Sequence, residues 1–377
     1  MARRTLAPDR RGVALFLVMA ALVLLGALLA AVASAVLHAQ RSTRRASATT
    51  ATFAAAEGAR ATAMTELPSR LPPYMSVGDV ASWSSAPWNG AETDISVARI
   101  AERLLRVEAT ATLPAPGDSG GRPAARVTTA ALWALQPPAL RIDAALTSAA
   151  PIIAGPDADS ELRLDGRDTL VAGWRCSPAD TASVPALATA AAVSLPTVSL
   201  EGAVLTDPGL SVATRYELSW SVPDTLRIAP PIVFAGDLTS VPIAPRAGTV
   251  CAAGTAEPTN WGDPRRPSPC EGWLPLVHVR GNLDRPTGRG QGVLLVDGDL
   301  TLGGDFEFHG VMVVRGRVVA TGGGNRVIGA MLARGDAARP HELDALELRY
   351  SSCVTNAALL AAGVLRPVSP RGWGRWW

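Results

Sequence analysis

The sequence predicts an α+β protein: a long N-terminal transmembrane helix, then an antiparallel β-region, then a C-terminal β-solenoid-like, Gly-rich β-domain. Three observations carry this prediction. Residues 13–37 form an uncharged apolar run, residues 103–113 and 126–135 are rich in β-formers, and a glycine-centred phrase recurs within 276–337. The predicted boundaries are 1–12 for a basic leader, 13–67 for the helix, 68–150 for a linker and β-region, 151–355 for a β-rich exported domain, and 356–377 for a capping helix and a basic aromatic tail.

Length and charge predict the membrane-spanning part of the helix. The run from Val13 to Leu37 contains no charge, and as a helix it extends about 37 Å, enough to cross a bilayer core of about 30 Å. The positive-inside rule places the N-terminus in the cytoplasm and the rest of the chain outside. Four arginines precede the run, namely Arg3, Arg4, Arg10 and Arg11, while Arg41, Arg44 and Arg45 on the far side weaken the asymmetry.

The helical pattern continues beyond the membrane. Residues 39–67 contain no Pro, and apolar and charged residues recur in them at three- and four-residue spacing, which predicts an amphipathic continuation. The recurring residues are Phe53, Glu57, Arg60, Met64 and Leu67. Pro68, Pro72 and Pro73 are expected to end the helix.

Two N-terminal motifs resemble a known family. Residues 10–15 (RRGVAL) with the apolar run, and residues 53–59 (FAAAEGA), resemble the N-terminus of PilX-type minor pilins and are similar to the K-type minor pseudopilin of type II secretion. The resemblance implies cleavage by prepilin peptidase between Gly12 and Val13, methylation of the new N-terminus, and other pilin or pseudopilin subunits as partners. Major pilins carry glutamate at the position of Leu17. Its absence argues against a major subunit and favours a tip or initiating subunit, or a protein that only uses the same export route. A signal anchor that is never cut is the alternative.

The region after the helix is expected to be a loop over 68–98 and then an antiparallel hairpin. Its strands are 103–113 and 126–135, joined by the turn-rich stretch PAPGDSGGRP. The centre, 136–250, yields no topology, although Ala186–Val193 is compatible with a helix and Tyr216–Trp220 alternates as a strand does.

Four similar phrases occur in the C-terminal part: LVHVRGN (276–282), LLVDGDL (294–300), VVRGRVV (313–319) and MLARGDA (331–337). Their glycines are Gly281, Gly298, Gly316 and Gly335, and LRLDGRD (162–168) has the same form around Gly166. The phrases recur about every 18 residues, a period that suits one coil of a β-solenoid, with glycine supplying positive φ at a corner. Evenly spaced hairpins of a β-sandwich are the alternative.

The same stretch provides a second resemblance. Residues 290–316 resemble the Gly-rich C-terminal β-region of PilX-like pilus assembly proteins, as do Asn260–Pro264 and Tyr350–Cys353, and are faintly similar to bactofilin-type solenoids. Residues 356–365 are expected to form a short helix that caps the end of the solenoid. The tail RGWGRWW is expected to dock on the fold.

The four cysteines suggest two disulfides in an exported domain, because none lies in a CxxC pair. They are Cys176, Cys251, Cys270 and Cys353. Three connectivities are possible; the nearest pair in sequence predicts Cys251–Cys270 and, by elimination, Cys176–Cys353. Four unpaired thiols are the alternative.

Composition narrows the functional classes. The net charge is +2, every basic residue is arginine, and the arginines cluster only near the N-terminus, so nucleic-acid binding is not expected. No HExxH, GxSxG or P-loop motif occurs, so no catalytic residue, metal site or cofactor is predicted.

We therefore expect a minor-pilin-like structural subunit, single-pass in the inner membrane, with its C-terminal domain in the periplasm or outside the cell. The alternatives are a static membrane-anchored β-solenoid scaffold and a β-helix enzyme acting on surface polysaccharide. The second would use the carboxylates around Asp297, Asp299, Asp305 and Glu307.

Overall fold

The computed structural model describes residues 11–70, 75–115, 123–153, 161–174, 183–190, 198–206, 231–243, 258–265, 273–335 and 338–368. Two compact units are distinguished. The first comprises Met1–Arg60, Ser84–Asp94 and Ala109–Thr129, and the second comprises Ala61–Trp83, Ile95–Glu108 and Ala130–Trp377.

Two helices and a series of strands make up the described elements. The helices are α1 (Arg11–Arg70) and α2 (Ser352–Ala361). The strands are β1 (Val80–Trp88), β2 (Ala91–Ala101), β3 (Leu104–Pro114), β4 (Pro123–Gln136), β5 (Leu146–Ser148), β6 (Ile152–Ile153), β7 (Leu162–Asp165), β8 (Leu187–Thr189), β9 (Val198–Glu201), β10 (Val204–Thr206), β11 (Ile232–Phe234), β12 (Leu238–Thr239), β13 (Pro242–Ile243), β14 (Leu276–Val279), β15 (Leu283–Asp284), β16 (Thr287–Val296), β17 (Leu300–Leu302), β18 (Phe306–Val314), β19 (Val318–Ala320), β20 (Asn325–Ala333), β21 (His341–Leu343), β22 (Leu346–Arg349) and β23 (Val364–Pro367).

Helix α1 is a single helix, as predicted, and it continues two residues past Pro68. Of the apolar residues in the predicted amphipathic pattern, Met64 and Leu67 are buried, whereas Phe53 is 41% exposed. The other buried side chains of α1 are small. In the first unit these are Thr52, Ala55, Ala56 and Ala59. Ala55 and Ala56 pack against Ala91 and Ala111, since methyl groups alone let the helix backbone approach the strands closely.

The antiparallel sheet has the order β1-β2-β3-β4-β23. The predicted hairpin is confirmed as β3 and β4. The prediction of a loop over 68–98 was wrong, because β1 and most of β2 lie there. Residues 91, 93, 95 and 97 of β2 are buried while 92 and 94 are exposed. Burial also alternates over residues 80–86 of β1, but Ser and Trp rather than aliphatic residues carry much of this alternation, which hid the strand character.

The other described strands form two parallel sheets. One has the order β10-β8-β5-β20-β18-β16-β14-β11, with β13 beside β16 and β22 between β20 and β7, and the other has the order β12-β15-β17-β19-β21-β6. Between residues 276 and 349 the chain alternates between the two sheets strand by strand. Parallel pairing excludes hairpins here, so the β-sandwich alternative was wrong.

The four predicted phrases pair in register. Val279 lies beside Val296, Val296 beside Val314, and Val314 beside Ala333, so each strand is displaced from the next by one repeat of the phrase. The fragment around Gly166 does not continue this series of paired phrases. Its Leu164 pairs with Leu348 in β22, whereas the strand that pairs with the last phrase, in β20, is β5. The boundary predicted at residue 151 was therefore too late, because Leu146–Ser148 already belongs to the parallel sheet.

The prediction that the phrase glycines supply positive φ holds only for Gly335. At Gly281, Gly298 and Gly316 glycine is required because a Cβ atom would clash with the neighbouring strand turn. A Cβ on Gly298 would lie 2.3 Å from Oδ1 of Asn282, and one on Gly316 would lie 2.2 Å from Oδ1 of Asp299. These oxygens accept hydrogen bonds from the backbone N–H groups of Asp299 and Arg317, both at 2.8 Å.

A second glycine row lies within the long strands. Gly292, Gly310 and Gly329 pair across β16, β18 and β20 and have φ of 102°, 147° and 132°. A Cβ on Gly310 would lie 1.8 Å from the carbonyl oxygen of Gly292, and one on Gly329 would lie 1.9 Å from that of Gly310. Only glycine combines this positive φ with the absence of a Cβ atom, so no other residue fits these three positions.

The order of the parallel strands does not follow the chain. Strand β5 pairs with β20, so Leu146 lies beside Met331, and β8 and β10 extend the sheet beyond β5. The helix considered for Ala186–Val193 is not formed, since Leu187–Thr189 is strand β8; residues 191–193 and Tyr216–Trp220 lie outside the described residues.

Helix α2 covers the flank of a parallel sheet, not its end, which corrects the predicted cap. Ala358, Leu359 and Ala362 pack on Val293, Leu295, Val311 and Val313, the side chains that point away from the core of the sheets. The helix begins at Ser352, earlier than predicted, because the Ser351 side chain caps Val354 N. The predicted aromatic tail, 371–377, lies outside the described residues.

Candidate functional site

The exposed half of α1 is the first candidate site. From Leu15 to Ala51 its side chains are exposed apart from two half-buried alanines, and its large apolar side chains between Leu15 and Leu37 are 49–73% exposed. The helix is long and apolar enough to cross a membrane, a property that a signal sequence near the N-terminus shares. Gly12 and Val13, the predicted cleavage position, lie in its first turn.

A charged row on the parallel strands is the second candidate site. Arg289, Glu307, Arg326, Glu347 and Arg163 pair in that order across β16, β18, β20, β22 and β7, so positive and negative side chains alternate. Their neighbours Phe306, Phe308 and Leu348 are in the core. Because side chains of a strand alternate between faces, the charged row lies on the outer face.

Glu307 is the most enclosed member of this row, with a side chain only 8% exposed. Its Oε2 accepts from Arg265 Nε at 2.7 Å, and its Oε1 lies 3.0 Å from Nε2 of His309. The hydrogen bond to His309 and then that from Arg265 outweigh burial and lower the pKa of Glu307 to about 2. Glu307 is therefore ionised at neutral pH.

Glu347 is held in a similar way. Burial by itself would raise its pKa, but hydrogen bonds and charge from Arg326 and Arg349 lower it overall. The Nε atom of Arg326 lies 2.7 Å from Oε2 of Glu347, and Nη2 of Arg349 lies 2.5 Å from its Oε1. The paired carboxylate in turn raises the pKa of Arg326.

Four members of the charged row, Arg289, Glu307, Arg326 and Glu347, line a groove with a volume of about 920 Å³. One of its edges is the glycine turn 322–324. The Nδ2 of Asn325 fixes this turn by donating to the carbonyl oxygens of Thr321, Gly322 and Ala345 at 3.0–3.1 Å. A Cβ placed on Gly323 would meet nothing within 4 Å, so the space above it is open. Asp305, also in the lining, has a φ of 57°.

The segment Asn260–Pro264, singled out in the sequence, and the adjoining Arg265 contribute Asp263 and Arg265 to the groove. Trp261 is fully buried, and its Nε1 donates to Pro258 O at 2.8 Å. Its carbonyl oxygen accepts from Gln291 N at 2.7 Å, which joins the segment to β16. Trp261 thus anchors the segment that carries Asp263 and Arg265 into the groove.

The four carboxylates considered for an enzyme are divided between the groove and two ion pairs outside its described lining. Asp297 lies 2.9 Å from Nε2 of His278, and Asp299 is 3.0 Å from Nη1 of Arg339. Of the four carboxylates considered, only Asp305 and Glu307 line the groove. Within the described ranges, no group of three or more His, Cys, Asp or Glu side chains could hold a metal ion.

Of the four predicted disulfide cysteines, only Cys353 lies within the described residues, and it is disulfide-bonded. Four unpaired thiols are therefore not what the structure has. The carboxylate of Asp168 accepts from Ser352 N at 2.8 Å and from Ser352 Oγ at 2.6 Å, and Thr169 N donates to Tyr350 O. Asp168 and Thr169, eight and seven residues before Cys176, are thereby held beside the segment that carries Cys353. The pairing of Cys251 with Cys270 stays a prediction.

We expect peptide mapping without reduction to find Cys176 joined to Cys353. In Cys176→Ser the thiol of Cys353 should become alkylatable, whereas in Cys251→Ser it should stay protected. A fragment that joins Cys353 to Cys251 or Cys270 would contradict this pairing.

Comparison of the chain with protein-family models, with curated proteins and with solved structures finds no match in any of the three.

Sequence reasoning missed the charged row, although a signal for it was present. Arg289, Glu307, Arg326 and Glu347 follow one another at intervals close to the period of the glycine phrases, because each belongs to the next strand of the same sheet. Arg163 could not have been found in this way, because its strand joins the row from a distant part of the chain.

Proposed function

We propose that this protein is a minor-pilin-like structural subunit of a type IV pilus or a related secretion filament. The observation that carries the proposal is that α1 is one uninterrupted helix whose two halves differ. Its first half exposes apolar side chains throughout, and its second half, from Thr52, buries a face of small residues.

The length of α1 supports this function over that of a simple anchor. About 20 apolar residues are enough to span a bilayer, whereas α1 has 60 residues. A helix that must leave the membrane and pack among other helices needs a long apolar surface with small residues, because alanine and glycine allow close helix contacts. The run from Val13 to Leu37 provides both.

The proposal includes the location and partners of the chain. The N-terminus lies in the cytoplasm, α1 crosses the inner membrane once, and the β-strands lie in the periplasm or outside the cell. Prepilin peptidase and other pilin or pseudopilin subunits are the partners, and nucleic acid is not one. A disulfide at Cys353 is in keeping with an oxidising compartment.

We further propose that the parallel strands form one β-solenoid. A displacement of one phrase between paired strands, regular alternation between two parallel sheets, and a shared core support this architecture. The core contains Leu294, Leu300, Phe306 and Met312, which come from both sheets. The solenoid would be the part of the subunit presented to other molecules.

Two of the carboxylates that line the groove, Glu307 and Glu347, are in environments unsuited to a general acid. A general acid must hold its proton near neutral pH, whereas the pKa of Glu307 is about 2 and that of Glu347 is lowered. Each is paired with arginine, so neither is placed as a proton donor.

N-terminal sequencing of the membrane-extracted protein tests the proposed function. With an active prepilin peptidase we expect the chain to begin at a methylated Val13, because the basic leader and Gly12 precede the apolar run directly. Without the peptidase the chain should begin near Met1. The variant Gly12→Leu should remain uncut, while Gly26→Leu, on the exposed part of α1 where a Cβ meets nothing within 4 Å, should be cut normally.

A chain that begins near Met1 in the presence of active peptidase would overturn the proposal. It would leave the static scaffold alternative, in which α1 serves only as an anchor.

A further inference from the structure

The groove on the parallel strands has a composition that restricts its ligand. The described residues of its lining carry five carboxylates and three guanidinium groups. The carboxylates are those of Glu161, Asp263, Asp305, Glu307 and Glu347, and the guanidinium groups are those of Arg265, Arg289 and Arg326. The excess of carboxylates would repel a polyanionic ligand, and the arginines between them would repel a polycationic one.

The alternation of charge gives donors and acceptors in turn along the groove. From β16 to β22 the row crosses four adjacent strands, a length of about 14 Å at the usual strand spacing. Ion pairing leaves part of their capacity free, since a guanidinium has five donors and a carboxylate about four acceptor positions. A hydroxyl group both donates and accepts, so it can bridge a carboxylate and the next arginine.

We propose that this groove binds an uncharged, hydroxyl-rich chain, that is, a neutral polysaccharide lying across strands β16, β18, β20 and β22. The open space above Gly323 gives the polysaccharide access to the groove. The ion pairs of Glu307 and Glu347 hold the polar groups of the groove in place before the polysaccharide binds. This activity goes beyond the filament function and does not depend on it.

An extended peptide fits the groove less well. Peptides that add to a sheet need a free strand edge for their backbone, and the groove lies on the face of strands that are paired on both sides. The apolar residues in the described lining, such as Ile243 and Leu346, are buried at 0–1% exposure, so they offer no pocket for a peptide side chain.

The test uses the full chain in detergent and isothermal titration with defined probes. The neutral probes are maltotetraose, cellotetraose, chitotetraose and mannotetraose, and the comparison probes are tetragalacturonate and an uncharged Gly-Ser hexapeptide. We expect saturable binding of at least one neutral tetrasaccharide. Gly323→Phe should weaken it at least about tenfold by filling the groove, whereas Gly236→Phe should change it less than about twofold. Neither glycine has positive φ, and neither Cβ would meet an atom within 4 Å, but only Gly323 lines the groove.

A second pair of variants keeps the test decisive if Gly323→Phe does not fold. Glu347→Gln removes a carboxylate from the row, and Asp297→Asn removes one from an ion pair outside the groove. Only the first should weaken saccharide binding. The proposal is overturned if no neutral tetrasaccharide binds, if tetragalacturonate or the peptide binds as tightly, or if Gly323→Phe folds and binds as the wild type does. N-terminal processing at Val13 is measured separately, so its failure would leave this result unaffected.

Discussion

Replacing Gly310 by alanine is expected to destabilise the parallel sheets severely. The added Cβ would lie 1.8 Å from the carbonyl oxygen of Gly292, and the residue would have to keep a φ of 147°. Strand β18 cannot move aside, because it pairs with β16 along its whole length and with β20 along nearly all of it. We expect a loss of more than about 4 kcal/mol in the free energy of unfolding, measured by urea denaturation of the detergent-solubilised chain followed by tryptophan fluorescence.

Gly323→Ala is the matched control for Gly310→Ala. Its Cβ would meet nothing within 4 Å, and its φ is not positive, so the free energy of unfolding should change by less than about 0.5 kcal/mol. If Gly310→Ala unfolded at the urea concentration of the wild type, the close approach of β16 and β18 at this corner would be wrong.

The protein is expected to lose stability between pH 6.5 and 4 because of His341. This side chain is 1% exposed, and its Nδ1 accepts a hydrogen bond from Val318 N at 2.9 Å. Burial, and then the charge of Arg317, lower the pKa of His341 from 6.5 to about 4. As the pH falls below 6.5, His341 binds a proton in the unfolded chain but not in the folded one. The free energy of unfolding therefore decreases as the pH falls, and it stops decreasing near pH 4, where the folded protein also binds the proton. The loss is about 3 kcal/mol in the free energy of unfolding.

Urea denaturation at pH 7.5, 6.5, 5.5 and 4.5 measures this dependence. In His341→Asn the amide oxygen can still accept from Val318 N but does not titrate, so the fall in stability should largely disappear. His38→Asn, on the exposed part of α1, should keep the wild-type profile. Glu307, whose pKa is about 2 against an ordinary 4.5, loses its contribution only below pH 4.5. An equal fall in wild type and His341→Asn would show that another group is responsible.

The parts of the fold that the sequence predicted are those with a local period. Helix α1 follows from an unbroken apolar run. The strands within 276–337 follow from glycines that recur about every 18 residues, as in one coil of a solenoid. The hairpin β3–β4 follows from β-formers on either side of a turn-rich stretch. In each case the information lies within a short segment of the chain.

The parts that were missed depend on contacts between distant segments. Nothing near Leu146 indicates that it pairs with Met331, and nothing near Arg163 indicates that it extends a row of charges from Arg289 to Glu347. The groove combines this row with the segment around Arg265 and with Glu161, so it exists only once the strands have paired. Strand β1 was missed for another reason, since its alternation is carried by Ser and Trp rather than by aliphatic residues.

The pairing of β5 with β20 determines when the chain can complete its fold. Synthesis starts at the N-terminus, so β5 and β7 leave the ribosome long before β20 and β22, the strands with which they pair. Until residue 349 has emerged, the edges of β5 and β7 have no template, and such edges invite pairing with other chains. Loss of the last parallel strands would therefore leave one edge of β5 and one edge of β7 unpaired, although β8 and β9 pair with their other edges. A delay in translation before residue 325 would lengthen the time for which these edges are open to aggregation.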